Sequence, residues 1–317
     1  MRFSVPILPT LPPVLLVVWR RPDTTRQVID AIRQAKPMRM FVACDGPRIG
    51  HPGEAEKVAA TRAIIEQGLD WPCEIHRLYS DVNQGCRLGV SRAIEWFFNQ
   101  VDEGIILEDD CVPHPDFFSY CAVLLERYRY DTRVWCVSGD NFQDGYWRGD
   151  GSYYFSRYNH CWGWASWRRC WKHYDSELDK WAEMRDSGLI EGVFENQAER
   201  VFWAKIWQKL VDEGKPDSWA YRWTFTCIAN GGLTALPNRN LVSNVGFGED
   251  ATHTLAQSDP TTAVVALGDI THPRFVLRDA QADSYTFVNH FSGTPRRTSQ
   301  LNYLLNRFIR RIQRGLS

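Results

Sequence analysis

The first half of the chain contains the stretch Gly104-Ile105-Ile106-Leu107-Glu108-Asp109-Asp110. An apolar run this short predicts a buried strand. Three acidic residues follow it with no spacer, so the strand ends in a cluster of carboxylates. In open α/β sheets, ligands bind at the carboxyl ends of the strands. The stretch therefore predicts both a buried strand and a polar site at its end.

A strand-then-helix pattern precedes this stretch. Apolar runs predict strands at residues 15–18, 40–44, 73–78 and 104–107. Apolar residues at helical spacing predict helices that start at Pro22 and Ala55, and a third one around Val90 and Ile94. Strands that alternate with helices along the first third of the chain predict an α/β fold with a mostly parallel central sheet and helices on both faces.

The second half has a looser pattern. Residues 134–138 predict a further strand, and residues 198–210 and 219–229 predict helices. The segment between them is rich in glycine and aromatic residues. Because the chain contains no internal repeat, we expect one domain with an elaborated C-terminal half.

The composition is that of an ordinary globular protein. Of the 317 residues, 44% are apolar and 24% are charged, which excludes a disordered chain, a collagen-like repeat and a small disulfide-rich domain. The 37 Lys and Arg nearly balance the 38 Asp and Glu. A chain without excess positive charge is not expected to bind nucleic acid.

The cysteines and the N-terminal segment indicate in which cellular compartment the protein is expected. The nine cysteines are odd in number, scattered, and never in C-x-x-C spacing. This favours reduced thiols in a cytoplasmic protein. Residues 3–19 are apolar but contain four prolines and no A-x-A cleavage pattern. We therefore expect neither a signal peptide nor a membrane span there.

Polar residues follow each of the four predicted strands. They are Arg20, Arg21, Asp45, residues 81–87 and the triplet Glu108–Asp110. Because the carboxyl ends of parallel strands share one edge of the sheet, we expect these side chains to converge. This convergence is the first indication of a binding site.

The acidic triplet needs a neutralising partner, since three adjacent carboxylates repel one another unless a cation or protons intervene. Hard oxygen ligands suit Mg²⁺ or Mn²⁺, which also take phosphate oxygens and water as ligands. A metal diphosphate is therefore the expected occupant. The alternative is a solvated acidic turn that caps a helix beginning near Pro115.

Several segments in matching order resemble a known family. The segment 107–118, LEDDCVPHPDFF, is similar to the E-D-D…P-D-F-F segment of N-acetylglucosaminyltransferase I and of related bacterial nucleotide-sugar transferases with the glycosyltransferase A-type (GT-A) fold. Similar segments recur at residues 13–20, 83–90, 162–164 and 240–254. The resemblance covers residues from about 12 to 255. It implies a Rossmann-like GT-A fold.

The resemblance also implies roles for particular residues. Asp110 would bind Mn²⁺ or Mg²⁺, and Glu108 and Asp109 would bind the metal diphosphate with it. Asp45 would lie beside the base or ribose, and Arg20 and Arg87 near the nucleotide or its phosphates. In this fold a late loop often returns to the diphosphate, which makes His253 a second candidate metal ligand. The alternatives are a turn-forming Asp45, surface arginines and a His253 that only hydrogen-bonds.

The catalytic base departs from the family pattern. Inverting transfer needs a carboxylate within reach of the acceptor hydroxyl. The resemblance places an acid directly after Trp219, where this chain has Ala220. Asp217 is our candidate base, and its alternative role is to cap the helix that follows. Either another carboxylate such as Glu249 or Asp250 is the base instead, or the chain binds the donor but transfers poorly.

Tryptophan is unusually frequent, with seven of the 14 indoles between residues 135 and 181. Indole faces pack on the apolar faces of sugar rings. Trp162 and Trp164 flank Gly163, which would leave room for a ring, and they are our candidates for the sugar or acceptor pocket. The alternative is that these tryptophans belong to the core, where large aromatics dominate burial.

The C-terminal segment, residues 294–317, carries six arginines and no acid. Its leucines, isoleucines and phenylalanine recur at helical spacing from Leu301 to Ile312, with Arg307, Arg311 and Arg314 on the other side. This pattern predicts a basic amphipathic helix. Such a helix either docks on the body of the protein or lies on an anionic membrane surface.

The sequence thus predicts a metal-dependent glycosyltransferase that moves a sugar from a nucleoside-diphosphate donor to a glycan or lipid-linked acceptor with inversion. The domain would span residues 1–293, with a nucleotide-binding half at about 12–118 and an acceptor half at about 119–293. The expected location is the cytoplasm or the inner face of the membrane. The alternative is a non-catalytic module of the same fold that binds nucleotide sugars or carbohydrate.

Overall fold

The computed structural model describes residues 10–246 and 263–291. Its strands are β1 (Val14–Val18), β2 (Arg39–Cys44), β3 (Glu74–Tyr79), β4 (Glu103–Glu108), β5 (Cys111–Pro113), β6 (Val134–Ser138), β7 (Tyr153–Ser156), β8 (Trp164–Trp167), β9 (Leu233–Pro237) and β10 (Val242–Asn244). Its α-helices are α1 (Pro22–Ala35), α2 (Glu54–Gly68), α3 (Gly85–Phe98), α4 (Pro115–Tyr128), α5 (Arg168–Trp171), α6 (Trp181–Asp186), α7 (Leu189–Val193), α8 (Gln197–Glu213), α9 (Ala220–Ala229) and α10 (Ala280–Thr286). A π-helical turn, Phe287–Phe291, follows α10.

Eight of these strands form one sheet in the order β3-β2-β1-β4-β8-β6-β9-β7. The first four strands are parallel neighbours, and their order 3-2-1-4 is that of one half of a Rossmann fold. Antiparallel pairs join β8 to β4 and to β6, and β7 to β9. The expected α/β fold with a mostly parallel sheet is therefore confirmed.

Strand β1 shows why the sheet has helices on both faces. Side chains alternate in direction along a strand, yet Val14, Leu15 and Leu16 are all 0% exposed. Both faces of the sheet must therefore be covered. On one of them, Phe97 of α3 packs edge-on against Phe41 of β2, with ring centroids 5.0 Å apart. Each fully buried Val or Leu contributes about 1.5–3 kcal/mol, so this central strand anchors the core.

Two antiparallel elements have no signal in the sequence pattern. Strand β8 lies between β4 and β6. Strands β5 and β10, each of three residues, pair in a separate two-stranded ribbon. The partners of β5 and β10 are far apart in sequence, as in the pair of Cys111 with Asn244. This ribbon returns the chain to the acidic triplet, where the N–H of Val245 donates to the carbonyl of Asp110 at 2.8 Å.

A second apolar cluster lies in the C-terminal half. It is built largely from aromatic side chains of α6, α8, α9 and the π-helical turn. Trp203 and Trp207 of α8 stack with ring centroids 5.6 Å apart, and Trp181 meets Trp207 edge-on at 5.4 Å. Several of the tryptophans are therefore core residues.

Two further expectations can be compared with the structure. All nine cysteines are free thiols, as their scattered spacing predicts. Within residues 10–246 and 263–291, every helix is too short or too polar to span a bilayer. The division into a nucleotide-binding and an acceptor half stays a prediction.

Candidate functional site

The carboxyl ends of β1 and β4 lie side by side. In their parallel register, Val17 pairs with Glu108. The strand order 3-2-1-4 changes direction between these two strands, and a crevice for ligands opens at such a point. Directly beyond the strands, the N–H of Trp19 donates to Oδ2 of Asp109 at 3.1 Å. The structure thus joins the end of the first strand to the acidic triplet, as the expected convergence requires.

Arg21 neutralises part of the triplet. Its Nη1 lies 2.7 Å from Oδ2 of Asp110 and 3.3 Å from Oδ1 of Asp109. Helix α1 begins at Pro22, so the position of the Arg21 backbone is fixed by the first turn of that helix. The three side chains are largely buried. The acidic triplet is therefore not a solvated turn.

The charged groups of the crevice shift one another's pKa values. Burial raises the pKa of Glu108, and repulsion from Asp110 and Asp109 raises it further. Burial and the charge of Asp110 likewise raise the pKa of Asp109. Burial lowers the pKa of Arg21, but the carboxylates of Asp109 and Asp110 outweigh it and the net pKa is raised. The triplet thus has unmet negative charge that a further cation would relieve.

The donor set fits a divalent cation with few protein ligands. Glu108, Asp109 and Asp110 offer hard carboxylate oxygens, and Arg21 balances one of three charges. Among the residues that the structure describes, no group of three or more His, Cys, Asp or Glu surrounds one metal position. A cation here would therefore complete its shell with phosphate oxygens and water. Asp110 is partly exposed and stays the predicted metal ligand, and the predicted second ligand, His253, lies outside the described residues.

Asp45 holds a loop rather than facing the crevice with free oxygens. Its Oδ1 and Oδ2 each lie 2.9 Å from the N–H of Gln84, Oδ1 also accepts from the N–H of Gly46, and Oδ2 accepts from Nδ2 of Asn83. Burial raises its pKa, and the bonds from Gln84 and Gly46 oppose that shift. These contacts fix the loop before α3. A role beside the base or ribose stays a prediction.

Arg20 and Arg87 are engaged away from the triplet. Nη1 of Arg20 lies 3.2 Å from Oε1 of Glu54, and Nη1 of Arg87 lies 2.9 Å from Oε1 of Glu177. The structure therefore does not bring these two arginines to the carboxylates. The family resemblance indicated Arg20, and both Arg20 and Arg21 directly follow the strand. Only the side-chain directions after β1, which the sequence leaves open, distinguish them.

Asp217 lies at the start of α3. Its Oδ2 accepts from the N–H of Cys86 at 2.9 Å, and its Oδ1 accepts from the N–H of Arg87 at 3.4 Å. The alternative prediction, that Asp217 caps the helix following it, is wrong in detail. The N-cap of α9 is Trp219, and Asp217 caps a helix 130 residues earlier. Its carboxylate is exposed, and its role as base stays a prediction.

Trp219, two residues after Asp217, contacts the triplet. A hydrogen bond from its side chain lowers the pKa of Glu108 against the stronger effect of burial. Its ring also stacks on Trp164, with centroids 5.7 Å apart. The sequence singled out the neighbours of Trp219 but not Trp219 itself. The departure at Ala220 thus falls directly beside a residue that contacts Glu108.

The two candidate sugar-binding tryptophans differ in burial. Trp164 is 1% exposed and packs among Trp171, Trp219 and Trp223. This corrects the prediction that it lines a sugar pocket, because no face of the ring is open to a ligand. Trp162 is half-buried, and its ring lies 5.4 Å from that of Phe142. Its role in a sugar pocket stays a prediction.

Asp140 is a buried carboxylate that the sequence did not single out. It follows β6, is 1% exposed, and its Oδ2 accepts from the N–H of Trp162 at 2.9 Å. Within the described ranges, Oδ1 has no hydrogen-bond partner. Burial raises the pKa of Asp140 well above its usual range. A Gly-Asp-Asn run after a predicted strand is the signal that could have indicated it.

Part of the predicted site lies outside the described residues. This applies to His253, to the alternative bases Glu249 and Asp250, and to the basic segment 294–317. Their predicted roles stay predictions.

No family model and no curated protein matches this sequence. Among solved structures, the chain is similar to the mannosyltransferase PcManGT from Pyrobaculum calidifontis in complex with GDP-Man and Mn²⁺, at 13% identity over 72% of this chain and 74% of that one, with a TM-score of 0.38. It is also similar to HddC from Yersinia pseudotuberculosis complexed with GMP-PN, at 8% identity over 53% and 84% of the two chains, with a TM-score of 0.32. A third is 4-diphosphocytidyl-2C-methyl-D-erythritol synthase from Anaerococcus prevotii, at 10% identity over 75% and 94%, with a TM-score of 0.36. Likeness at this level assigns neither an activity nor a ligand to the chain.

Proposed function

We propose that this protein is a glycosyltransferase that takes a sugar from a nucleoside-diphosphate donor and passes it, with inversion, to a hydroxyl of an acceptor. One observation carries the proposal. At the point where the strand order reverses, Glu108, Asp109 and Asp110 meet Arg21, and the side chain of the buried Trp219 hydrogen-bonds to Glu108. A crevice that contains both carboxylates and a guanidinium suits a diphosphate with its metal ion.

The residues would divide the work as follows. Asp110, supported by Glu108 and Asp109, would hold Mn²⁺ or Mg²⁺, which when bound offsets the charge that develops on the leaving diphosphate. Arg21 would orient the phosphates by charge-assisted hydrogen bonds. Trp162 would lie against a sugar ring. Asp217 is the candidate to accept the proton of the attacking hydroxyl.

A non-catalytic binding module is the second candidate. Two features favour it, namely Ala220 in place of the expected acid and the engagement of Asp217 by the N–H groups of Cys86 and Arg87. Both oxygens of this carboxylate accept backbone N–H groups, so lone pairs that would take the proton of an acceptor hydroxyl are already engaged. Slow release of sugar to water from a nucleotide sugar separates the candidates, because a transferase hydrolyses some donor and a binding module hydrolyses none.

We further propose that the acceptor is a glycan or a lipid-linked sugar, reached in the cytoplasm or at the inner face of the membrane. The arginine-rich segment 294–317 supports the membrane part of this proposal by its charge alone. Deleting residues 296–317 should abolish co-sedimentation with anionic liposomes. Unchanged co-sedimentation would remove the membrane from the proposal.

Thermal unfolding tests the donor site. We expect one of UDP, GDP and CDP to raise the Tm by several degrees only when Mn²⁺ is present, because a ligand at 100 times its Kd adds about 2.7 kcal/mol. Asp110→Asn should abolish this shift. Asp102→Asn, whose carboxylate is 87% exposed at the other end of β4, is the matched control and should retain it. No shift with any nucleotide would contradict the proposal.

A further inference from the structure

The crevice contains a cation of its own, the guanidinium of Arg21. Its Nη1 contacts Oδ2 of Asp110 at 2.7 Å and Oδ1 of Asp109 at 3.3 Å. Resting on the metal-dependent function proposed above, we propose that Arg21 competes with the metal ion for Asp110 and leaves this carboxylate when a nucleoside diphosphate binds. Arg21 is then a positioning residue that makes metal binding depend on the donor.

Asp110 has little room for two cations at the same oxygen. Arg21 lies on one side of Oδ2, and the backbone of Gly246 lies on another, so close that a Cβ there would overlap this oxygen. The other oxygen, Oδ1, is 3.4 Å from Sγ of Cys111. The Asp110 side chain is only 17% exposed. A metal ion that takes Oδ2 therefore has to displace the guanidinium.

The neighbouring arginines do not take over when Arg21 leaves. Arg20 pairs with Glu54 at 3.2 Å, and Arg87 pairs with Glu177 at 2.9 Å. The anion that would accept the released guanidinium is the diphosphate, which pairs with arginine through charge-assisted bonds. A divalent ion and a guanidinium repel each other at short range, and the phosphates between them offset this repulsion.

The exchange has a thermodynamic consequence. Without nucleotide, the ion pair of Arg21 with Asp110 weakens metal binding. With nucleotide bound, the guanidinium of Arg21 pairs with the diphosphate, and Asp110 is available to the metal ion. Metal and nucleotide therefore bind with positive coupling, and each raises the affinity of the other by the same factor. Part of this factor should disappear when Arg21 is replaced by a neutral residue.

Mn²⁺ binding to the full chain tests the proposal. Free Mn²⁺ is counted by its electron paramagnetic resonance signal, with and without GDP, UDP and CDP. We expect Arg21→Gln to bind Mn²⁺ about tenfold more tightly than the unaltered protein in the absence of nucleotide, a typical size for coupling between sites. The factor by which nucleotide raises Mn²⁺ affinity should fall in the same variant.

Two further variants make the test specific. Arg21→Lys keeps the positive charge that competes with the metal ion but replaces the guanidinium by an ammonium, so its Mn²⁺ affinity should rise by only about threefold. Arg33→Gln removes an arginine that pairs with Asp30 and Asp70 at the far end of α1, and it should leave Mn²⁺ affinity unchanged. Thermal unfolding shows whether each variant is folded, and Arg21→Lys decides the test if Arg21→Gln is not.

The outcomes separate this proposal from the proposed function. If the unaltered protein binds Mn²⁺ together with a nucleotide, but neither Arg21 variant binds Mn²⁺ more tightly alone, the competition is overturned and the donor site stands. If neither the unaltered protein nor the Arg21 variants bind Mn²⁺ with any nucleotide, both proposals are overturned. Tighter binding by the Arg21 variants and unchanged binding by Arg33→Gln support the competition.

Discussion

At the scale of single residues, Asp110 is where the constraints of the crevice meet. Its side chain accepts from Arg21, its carbonyl accepts from the N–H of Val245, and its Oδ2 faces the backbone of Gly246. A side chain at position 246 would occupy the space of the carboxylate. The orientation of Asp110 therefore depends on a residue far from it in sequence having no Cβ.

Replacement of this glycine should impair the site without unfolding the protein. In Gly246→Ala, the added Cβ would overlap Oδ2 of Asp110, so the carboxylate has to rotate. We expect Mn²⁺-dependent nucleotide affinity, measured by calorimetry, to fall by about tenfold, equivalent to about 1.4 kcal/mol.

Gly192→Ala is the matched control. Gly192 lies in α7, and a Cβ there meets no atom within 4 Å. Because alanine favours helix over glycine by about 1 kcal/mol, this variant should keep its nucleotide affinity and lose no stability. If Gly246→Ala bound nucleotide as well as Gly192→Ala does, the orientation of Asp110 would not matter for the donor.

At the scale of elements, the start of α3 is held by two carboxylates. The first turn of a helix leaves N–H groups without intrahelical partners. Asp45 accepts from Gln84 just before the helix, and Asp217 accepts from Cys86 and Arg87 inside its first turn. The helix thus gives Asp217 a structural role that competes with its role as base.

Two substitutions of Asp217 separate these roles. Asparagine caps a helix about as well as aspartate but cannot take a proton, whereas alanine does neither. We expect Asp217→Asn to keep the free energy of unfolding within about 0.5 kcal/mol and Asp217→Ala to lose about 1 kcal/mol. If Asp217 is the base, sugar transfer by Asp217→Asn should fall by about 100-fold or more. Unchanged transfer would mean that Asp217 only caps α3 and is not the base.

Helix α9 can accommodate the acid that the family resemblance places after Trp219. Ala220 is the first residue of α9, and a negative charge in a first helical turn is stabilising by about 0.3–1 kcal/mol. Ala220→Asp should therefore fold. A rise in turnover by orders of magnitude would show that the chain lacks its base, and an unchanged turnover would show that the missing acid does not limit transfer.

At the scale of the whole molecule, the sheet and the aromatic cluster of the C-terminal half meet around His160. This side chain is 8% exposed, and its ring lies 4.4 Å from Phe142 and 6.3 Å from Tyr158. Burial, with a smaller contribution from the nearby charge of His290, lowers the pKa of His160 to about 3. The folded protein therefore keeps this imidazole neutral.

Acid should destabilise the protein through His160. Its pKa is about 3 when folded and 6.5 when unfolded, so the contribution to stability is full above pH 6.5 and is lost as the pH falls towards 3. Between pH 7.5 and pH 5 this loss is about 2 kcal/mol. His160→Phe should lose that much less stability over the same range, measured by denaturant unfolding.

His51→Gln, at an exposed position before α2, is the control and should follow the unaltered protein. Equal acid sensitivity of all three proteins would contradict the contribution of His160. The carboxyl of Asp283, whose pKa burial raises to about 6, acts with the opposite sign over the same range and is common to all three proteins.

Local patterns were sufficient for most of the first half. The apolar runs and helical spacings before Asp110 correspond to β1–β4 and α1–α3 within a few residues. They failed for β8 and for the ribbon of β5 and β10, whose strands have three or four residues and distant partners. A strand this short carries too few alternating positions to produce a period.

The sequence by itself determined the parallel α/β half and the acidic triplet at the end of β4, because strand, helix and turn preferences act between residues close along the chain. Only the tertiary structure decided that Arg21 rather than Arg20 meets the carboxylates, that Trp164 is buried and that Asp217 caps α3. Each of these depends on which distant segment fills the space beside a side chain. Neighbours in sequence do not contain that information, since packing sets it only when the whole sheet has formed.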